Sequence, residues 1–410
     1  MSNARNSDEI CENNNDIVQP PVLDIVLPKR KNIGTVRVGW ESIEPELPVD
    51  ILLVTVKDHE FVNCYYYLKD TKRCWYHGSG MVDFGTFGDG GVKVALIRCE
   101  KGGIEPRASL LAVKNAVEIL RPKAVICVGY CGSVKPEKAK LGHVVISAKL
   151  ATYSSKKITE DGTEELRGIK VNASRHIGDL IPFAADAWNP PLAEESSDFE
   201  VEVHREDVML SGPELVNNSK RRQQLLSHYP DAIAIEMEGE GLYAAAYDLG
   251  IEWAVVKGVS DYADGNKSAT EDWQPFASAM AASVVHNMFK YPDVIRQWPH
   301  YKKPVQGAAS TAVTPAANNS PIPSLPIEQL LRSIAGTKEG RKMYNGRTIE
   351  YSVSGRVHSL KEPWVYDGAA RDVATGEAVE KKHFKTADLA INGAIEELVK
   401  RLKERKLIRD

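Results

Sequence analysis

The sequence predicts an α/β fold, in which a central, mostly parallel mixed sheet is flanked by helices and followed by a small α+β unit of order α-β-β-β-α. Three observations carry this. Short runs rich in β-branched residues alternate with longer segments of helical period, the runs are apolar at successive residues, and the alternation stops at a Pro/Ala/Ser/Asn-rich stretch. Continuous apolar strands belong to parallel sheets covered on both faces, whereas a one-faced antiparallel sheet alternates.

The first strand is Asp50–Val56 (DILLVTV), and Val92–Arg98, Ala124–Val128, Val144–Ser147 and Ala254–Val256 follow the same pattern. Arg107–Leu120 places Leu110, Val113, Val117 and Leu120 on one helical face. A second helix is predicted over Glu238–Leu249 with Gly250 as its C-terminal cap, and a third over Pro275–Lys290. Residues 1–46, rich in Asn, Pro and charge, are expected to be disordered or extended. The α/β domain then spans 47–292, a flexible linker 293–326, and the small unit 327–410. That unit reads as a helix (Ile327–Ile334), strands near Arg347–Val357, Trp364–Val373 and Glu377–Phe384, and a long helix from its N-cap Thr386 to Arg405.

Hydrophobic residues make up 43% and charged residues 26%, as in globular proteins, and the formal charge of −4 gives no global case for binding nucleic acid or membrane. Met1–Asn15 has no apolar core, so no secretory signal is expected, and no apolar run is long enough to span a bilayer. Six cysteines without a CxxC pair fit a reducing, cytoplasmic setting. The histidines show no metal-ligand spacing, and Cys127 and Cys131 read as core thiols. No metal or other cofactor is expected.

Three clusters fall where strands should end: Lys57-Asp58-His59-Glu60, the glycine-spaced Gly129-Tyr130-Cys131-Gly132, and the pair Glu236-Met237-Glu238 with Ser260-Asp261. Acidic groups at several strand ends converge on one rim, as an active site requires. Each also has a plain reading. Asp261 suits a helix N-cap, Glu238 a first-turn helix carboxylate, and Glu60 a solvated loop charge.

The runs Tyr229–Ala246 (YPDAIAIEMEGEGLYAAA) and Trp253–Asp264 (WAVVKGVSDYAD) resemble the methylthioadenosine/S-adenosylhomocysteine nucleosidases of the purine-nucleoside and uridine phosphorylase superfamily. Val49–Glu60 resembles that family's first strand and catalytic glutamate, Lys123–Val134 its ribose-side strand and glycine turn, and Met209–Asn217 its Ser-Gly segment beside the base. The resemblance implies cleavage of a purine N-glycosidic bond through an oxocarbenium-like sugar, with the two-carboxylate logic of inverting glycoside hydrolysis. Asp261 would be the acid near purine N7, oriented by Ser260 and kept protonated by burial or a negative neighbour. Glu60 would activate water, and Glu238 would hold the ribose hydroxyls. Met237 would pack on sugar or base, Glu236 shape the pocket, and Leu215 and Val216 wall the base, with Gly129, Tyr130 and Gly132 near the ribose.

This chain departs from the family where Leu215 replaces a common aromatic residue and Tyr130 a small one. Cys127 stands where related phosphorylases carry a phosphate-binding arginine, which favours water as the nucleophile. Phosphorolysis is the alternative, with Arg98, Lys101 and Arg107 as nearby cations.

A reading of another class is a ligand sensor, similar to nucleosidase modules of multidomain immune effectors whose fused segment senses or oligomerises. The resemblance also implies a homo-oligomer. The order of the C-terminal unit resembles a double-stranded-RNA-binding domain, with Lys381, Lys382, Lys385, Lys400, Arg401, Lys403, Arg405 and Lys406 as its basic groups. Glu377, Glu380, Glu396, Glu397 and Glu404 dilute that field, so a protein-interaction or oligomerisation module is the first expectation and duplex RNA the second.

Overall fold

Every residue of strand β1 (Ile51–Thr55) is buried. Successive side chains point to opposite faces, so the centre of the sheet is covered on both. The computed structural model describes residues 19–89, 91–303, 339–344, 347–357, 364–384, 387–405 and 407. They divide into two compact units, before and after residue 315.

In the first unit a short helix α1 (Trp40–Ile43) precedes β1, which leads into α2 (Asp58–Tyr66), the hairpin β2 (Lys69–Tyr76) and β3 (Gly80–Phe87), then β4 (Val92–Arg98) and α3 (Ser109–Leu120). Next come β5 (Ala124–Ser133), β6 (Val144–Ile146), β7 (Lys149–Thr152), a ribbon of β8 (Lys156–Ile158) with β9 (Glu164–Leu166), β10 (Lys170–Asn172) and α4 (Arg175–Leu180). The unit closes with β11 (Val203–His204), β12 (Val208–Ser211), α5 (Ser219–His228), β13 (Ala232–Glu236), α6 (Gly239–Leu249), β14 (Glu252–Asp261) and α7 (Trp273–Phe289).

The main sheet runs β10-β7-β12-β13-β5-β1-β4-β3-β2, and β14 lies beside β5 and carries β6 and then β11. β1 pairs in parallel with β4 and β5, and β5 with β14. The hairpin edge and the β13–β5 contact are antiparallel, so the sheet is mixed and parallel at its centre. Helix α7 buries 13 of its 17 residues, including Phe276, Met280 and Val284, and packs on β14, β5 and α2. Helices α3 and α6 pack on each other and on the sheet.

The predicted strands are present, but two run further than their apolar stretches. β5 continues through Gly129–Ser133, where the sequence suggests a turn, because its far end pairs with β13. β14 likewise continues through Ser260 and Asp261. Helix α3 starts at Ser109, since Arg107 has a left-handed φ of 65° that a right-handed helix excludes. Gly250 does cap α6, with φ 64° and its N–H on the carbonyls of Ala246 and Tyr247. Pro275 sits in the first turn of α7, where its missing N–H costs nothing.

Two further expectations need correction. Residues 19–46 are not loose: Ile33 and Ile43 are buried, and bridges join Leu23 to Leu192 and Arg37 to Arg73. The stretch expected to be linker begins as core, because Ile295, Trp298 and Tyr301 are buried and Tyr301 N–H donates to the Pro122 carbonyl. The remainder of that stretch, and the helix predicted at Ile327–Ile334, lie outside the described residues.

The second unit is an antiparallel meander of four strands, β15 (Glu339–Tyr344), β16 (Arg347–Val357), β17 (Trp364–Asp372) and β18 (Ala378–Phe384), followed by α8 (Ala387–Glu404). Ala390, Ala394, Leu398 and Leu402 recur at helical spacing along α8 and pack with Ile349, Val353, Ala370 and Val379. The three strands expected here are therefore four, and the described order is β-β-β-β-α. The basic residues are largely answered: Lys381 and Arg401 pair with Glu397, Lys382 with Glu380, and Arg405 with Glu377. Lys385 and Lys406 lie outside the described residues.

Candidate active site

The ends of β1, β5, β13 and β14 open on one cavity of about 290 Å³. That is near the lower end of the roughly 300–1,000 Å³ of small-molecule sites. Nine of the candidate residues line it: Glu60, Tyr130, Gly132, Leu215, Val216, Glu236, Met237, Glu238 and Asp261. Ser260 and Gly129 stand directly behind this lining. Leu215 is on the open side, 62% exposed, whereas Val216 is buried.

Glu60 is the third residue of α2, not a loop charge. Its Oε2 accepts the N–H groups of Val56 (2.7 Å) and Lys57 (2.8 Å), returning to the helix start as the acidic half of a capping box does. Among the described residues its Oε1 accepts only the Tyr130 N–H, at 3.3 Å, and so keeps lone-pair capacity. Gly129 makes this approach possible, because a Cβ there would stand 2.1 Å from Glu60 Oε1. Burial raises the Glu60 pKa, Lys257 pulls it down, and Glu238 adds to the rise.

Glu236, at the end of β13, is occupied by backbone. Its carboxylate accepts the N–H groups of Glu238 and Gly239 at 2.9 Å each, which satisfies the start of α6. Glu238 is the residue flanking that helix start, with no cap bond from its side chain. Its Oε1 accepts the Gly102 N–H at 3.1 Å, and its Oε2 meets Lys257 Nζ at 2.9 Å.

Lys257 escaped the sequence reading, although a lysine inside the apolar run of β14 was a signal for a buried charge partner. It is 1% exposed, and Glu236 Oε2 lies 3.9 Å from its Nζ. Desolvation works to discharge it, but neighbouring Cys127 and the carboxylates of Glu238, Glu60 and Glu236 hold its pKa well above the ordinary lysine value. The carboxylates dominate, since burial keeps the Cys127 thiol protonated. Desolvation also acts against the Glu238 carboxylate, yet Lys257 and the Gly102 N–H outweigh it and lower the Glu238 pKa. Two acids around one cation are thereby driven apart, Glu60 upward and Glu238 downward.

Asp261 is buried at the last position of β14. Ser260 Oγ donates to its Oδ2 at 3.0 Å, and the Ala263 N–H to its Oδ1 at 3.1 Å. Ser260 therefore stands where an orienting group should. Of the two expected ways to keep its proton, burial is present, while the charge beside it is a cation rather than an anion: Lys267 Nζ lies 3.1 Å from Oδ2. An incoming base has to share or displace that contact.

Of the three cations considered for phosphate, Lys101 lines the cavity, Arg98 is paired with Asp58, and Arg107 is exposed. Lys57 from the first strand-end cluster lines it too, as do Lys267, Glu214, Glu271 and Gln274, to which the sequence assigns no role. They come from loops and from the first turns of α2 and α7, where no periodic signal marks them.

The sequence pattern of the Phosphorylase superfamily matches residues 59–289, the stretch that builds this cavity. The chain belongs to the Phosphorylase superfamily. Among curated relatives, a death domain-containing ATP nucleosidase of Amphimedon queenslandica is 32% identical over 189 residues, 42% of this chain and 34% of that relative. The chain thus spans about a third of that relative's length. A 5′-methylthioadenosine/S-adenosylhomocysteine nucleosidase of Haemophilus influenzae is 25% identical over 199 residues, 48% of this chain and 81% of the relative. The solved nucleosidase of that name from Neisseria meningitidis, in complex with methylthio-immucillin-A, is 19% identical. It covers 60% of this chain and 99% of its own, with a TM-score of 0.48.

Proposed function

We propose that the superfamily domain hydrolyses the N-glycosidic bond of a purine nucleoside or nucleotide, releasing free base and the ribose moiety. One observation carries this: Glu60, Glu238 and Asp261 line the same cavity. The N-glycosidic bond breaks with its electron pair going to the base, while Asp261 delivers a proton near N7 and is held in place by Ser260. Water attacks the anomeric carbon from the other face and gives its proton to Glu60, whose Oε1 has capacity to accept it. Glu238, fixed by Lys257 and Gly102, takes the hydrogen bonds of the ribose hydroxyls. Met237 and Val216 supply apolar wall, and Glu236 holds the start of α6 in place.

Water is favoured over phosphate because, among the described residues, no arginine lines the cavity, and the would-be nucleophile site carries a carboxylate. A 5′-phosphorylated substrate is supported by Lys57 and Lys101 at the cavity wall and by the 32%-identical relative's name, an ATP nucleosidase. We place the protein in the cytoplasm, a setting supported by five free, buried cysteines among the described residues. No helix among the described residues is long and apolar enough to cross a membrane. The ion-paired face of the second unit supports a protein partner or self-association over RNA.

The test is a panel of adenosine, methylthioadenosine, S-adenosylhomocysteine, AMP and ATP, with free base quantified. Base release from at least one member supports the assignment. Intact nucleosides and nucleotides throughout, with measurable binding, would make the domain a sensor.

A further inference from the structure

Outside the cavity, two histidines 61 positions apart face each other. His143 directly precedes β6 and His204 ends β11, and the parallel pairing of Val203 with Val144 and His204 with Val145 brings them together. His143 Nδ1 lies 3.0 Å from His204 Nε2, and both residues are buried. Glu202 borders both rings, with Oε2 3.9 Å from His143 Nδ1 and Oε1 3.6 Å from the other ring nitrogen of His204, Nδ1. One ligand atom from each of the three residues falls within 4.8 Å of the others.

We propose that His143, His204 and Glu202 form a structural site for a divalent transition-metal ion of the zinc class. A tetrahedral ion with bonds of about 2.0–2.2 Å places its ligand atoms about 3.3–3.5 Å apart. The separations of 3.0 Å between the histidines and 3.9 Å from His143 to Glu202 bracket that value, and the remaining pair lies within 4.8 Å, so side-chain rotation can bring the three atoms onto one ion. Two imidazoles and one carboxylate suit zinc better than calcium or magnesium, which prefer all-oxygen shells. Binding needs neutral imidazoles. Glu202 is 59% exposed, which leaves an entry path and room for water as fourth ligand. Asp207 borders the site as well, its Oδ2 3.9 Å from His204 Nδ1 while its Oδ1 pairs with Lys138.

The site is tied to the catalytic strand. Val259 N–H donates to the His143 carbonyl at 2.8 Å, and Gly142 N–H to the Val259 carbonyl at 2.9 Å, one residue before Ser260. An ion here clamps β6 and β11 together beside β14. It acts on stability and position, remote from the reacting atoms.

The experiment uses tag-free, full-length protein stripped with chelator. It is titrated with Zn²⁺ by calorimetry and with Co²⁺ by visible absorbance, and Tm is read with and without metal. One equivalent should bind, with ligand-field bands of a four-coordinate ion and a raised Tm. His204→Gln and Glu202→Gln should each weaken binding by at least roughly tenfold and abolish the Tm shift. Glu202→Gln sits on the surface, so it remains informative if the histidine variant fails to fold. Absence of stoichiometric binding, or wild-type affinity in either variant, overturns the site and leaves a plain histidine hydrogen bond.

Discussion

Lys257 Nζ stands 2.9 Å from Glu238 Oε2, inside a wall that also holds Glu60 and Glu236. Three acids are thus gathered around one buried cation. Removing that cation leaves buried charge unanswered, which typically costs about 3–5 kcal/mol. Lys257→Met should therefore lower the denaturation midpoint sharply and abolish turnover, while Lys257→Arg should recover most of the stability. Chemical denaturation of both variants checks this. A Lys257→Met protein as stable as wild type contradicts the arrangement.

Glu60 gives the proposed hydrolysis a pH dependence. Burial raises its pKa, with Lys257 opposing and Glu238 assisting. A base works above its pKa and is lost as pH falls through it. The acid limb of kcat/KM should therefore lie above the ordinary glutamate value of about 4.3. The pH profile of kcat/KM measures it, and Glu60→Gln should be inactive at every pH. A limb at or below the ordinary value in a protein that stays folded assigns the base role elsewhere.

Asp261→Asn keeps the shape of the side chain but removes its acid. Turnover should fall by roughly 10²–10⁴-fold with Tm near wild type. Near-normal turnover takes Asp261 out of the chemistry.

The legible and illegible parts of the chain separate on physical grounds. Strand β1 announces itself because every residue is buried and apolar or β-branched, and β4 because Val92 and the run Val94–Ile97 are buried and apolar. β5 and β14 are cut short in the sequence because function interrupts the pattern, through Gly129 making room for Glu60 and Lys257 answering Glu238. Helix α2 is hidden because Asp58-His59-Glu60 looks like a solvated cluster, and only the return bonds from Glu60 reveal a helix start. Strands β2 and β15, KDTKRCWY and EGRKMY, carry too much charge to read as strands. Paired motifs placed Glu60, Glu238 and Asp261 on one rim. His143 and His204 had no such spacing to betray them.

The boundary of the superfamily domain follows from Trp298 and Tyr301, whose burial ties the chain beyond α7 to the core. A fragment ending at residue 303 should fold cooperatively and keep its turnover, and one ending at 292 should have a lower Tm. Thermal melts and assays of the two fragments decide. Equal Tm values would remove the anchoring role of those aromatic residues.

The proposed reaction has water, activated by Glu60, cleaving a purine glycosidic bond. The most direct measurement is product analysis of the purified full chain with its best substrate, in phosphate-free buffer and again with added phosphate. Free base and free ribose, or ribose carrying the substrate's own 5′ group, should form at the same rate in both. Turnover that requires phosphate and yields ribose 1-phosphate contradicts hydrolysis.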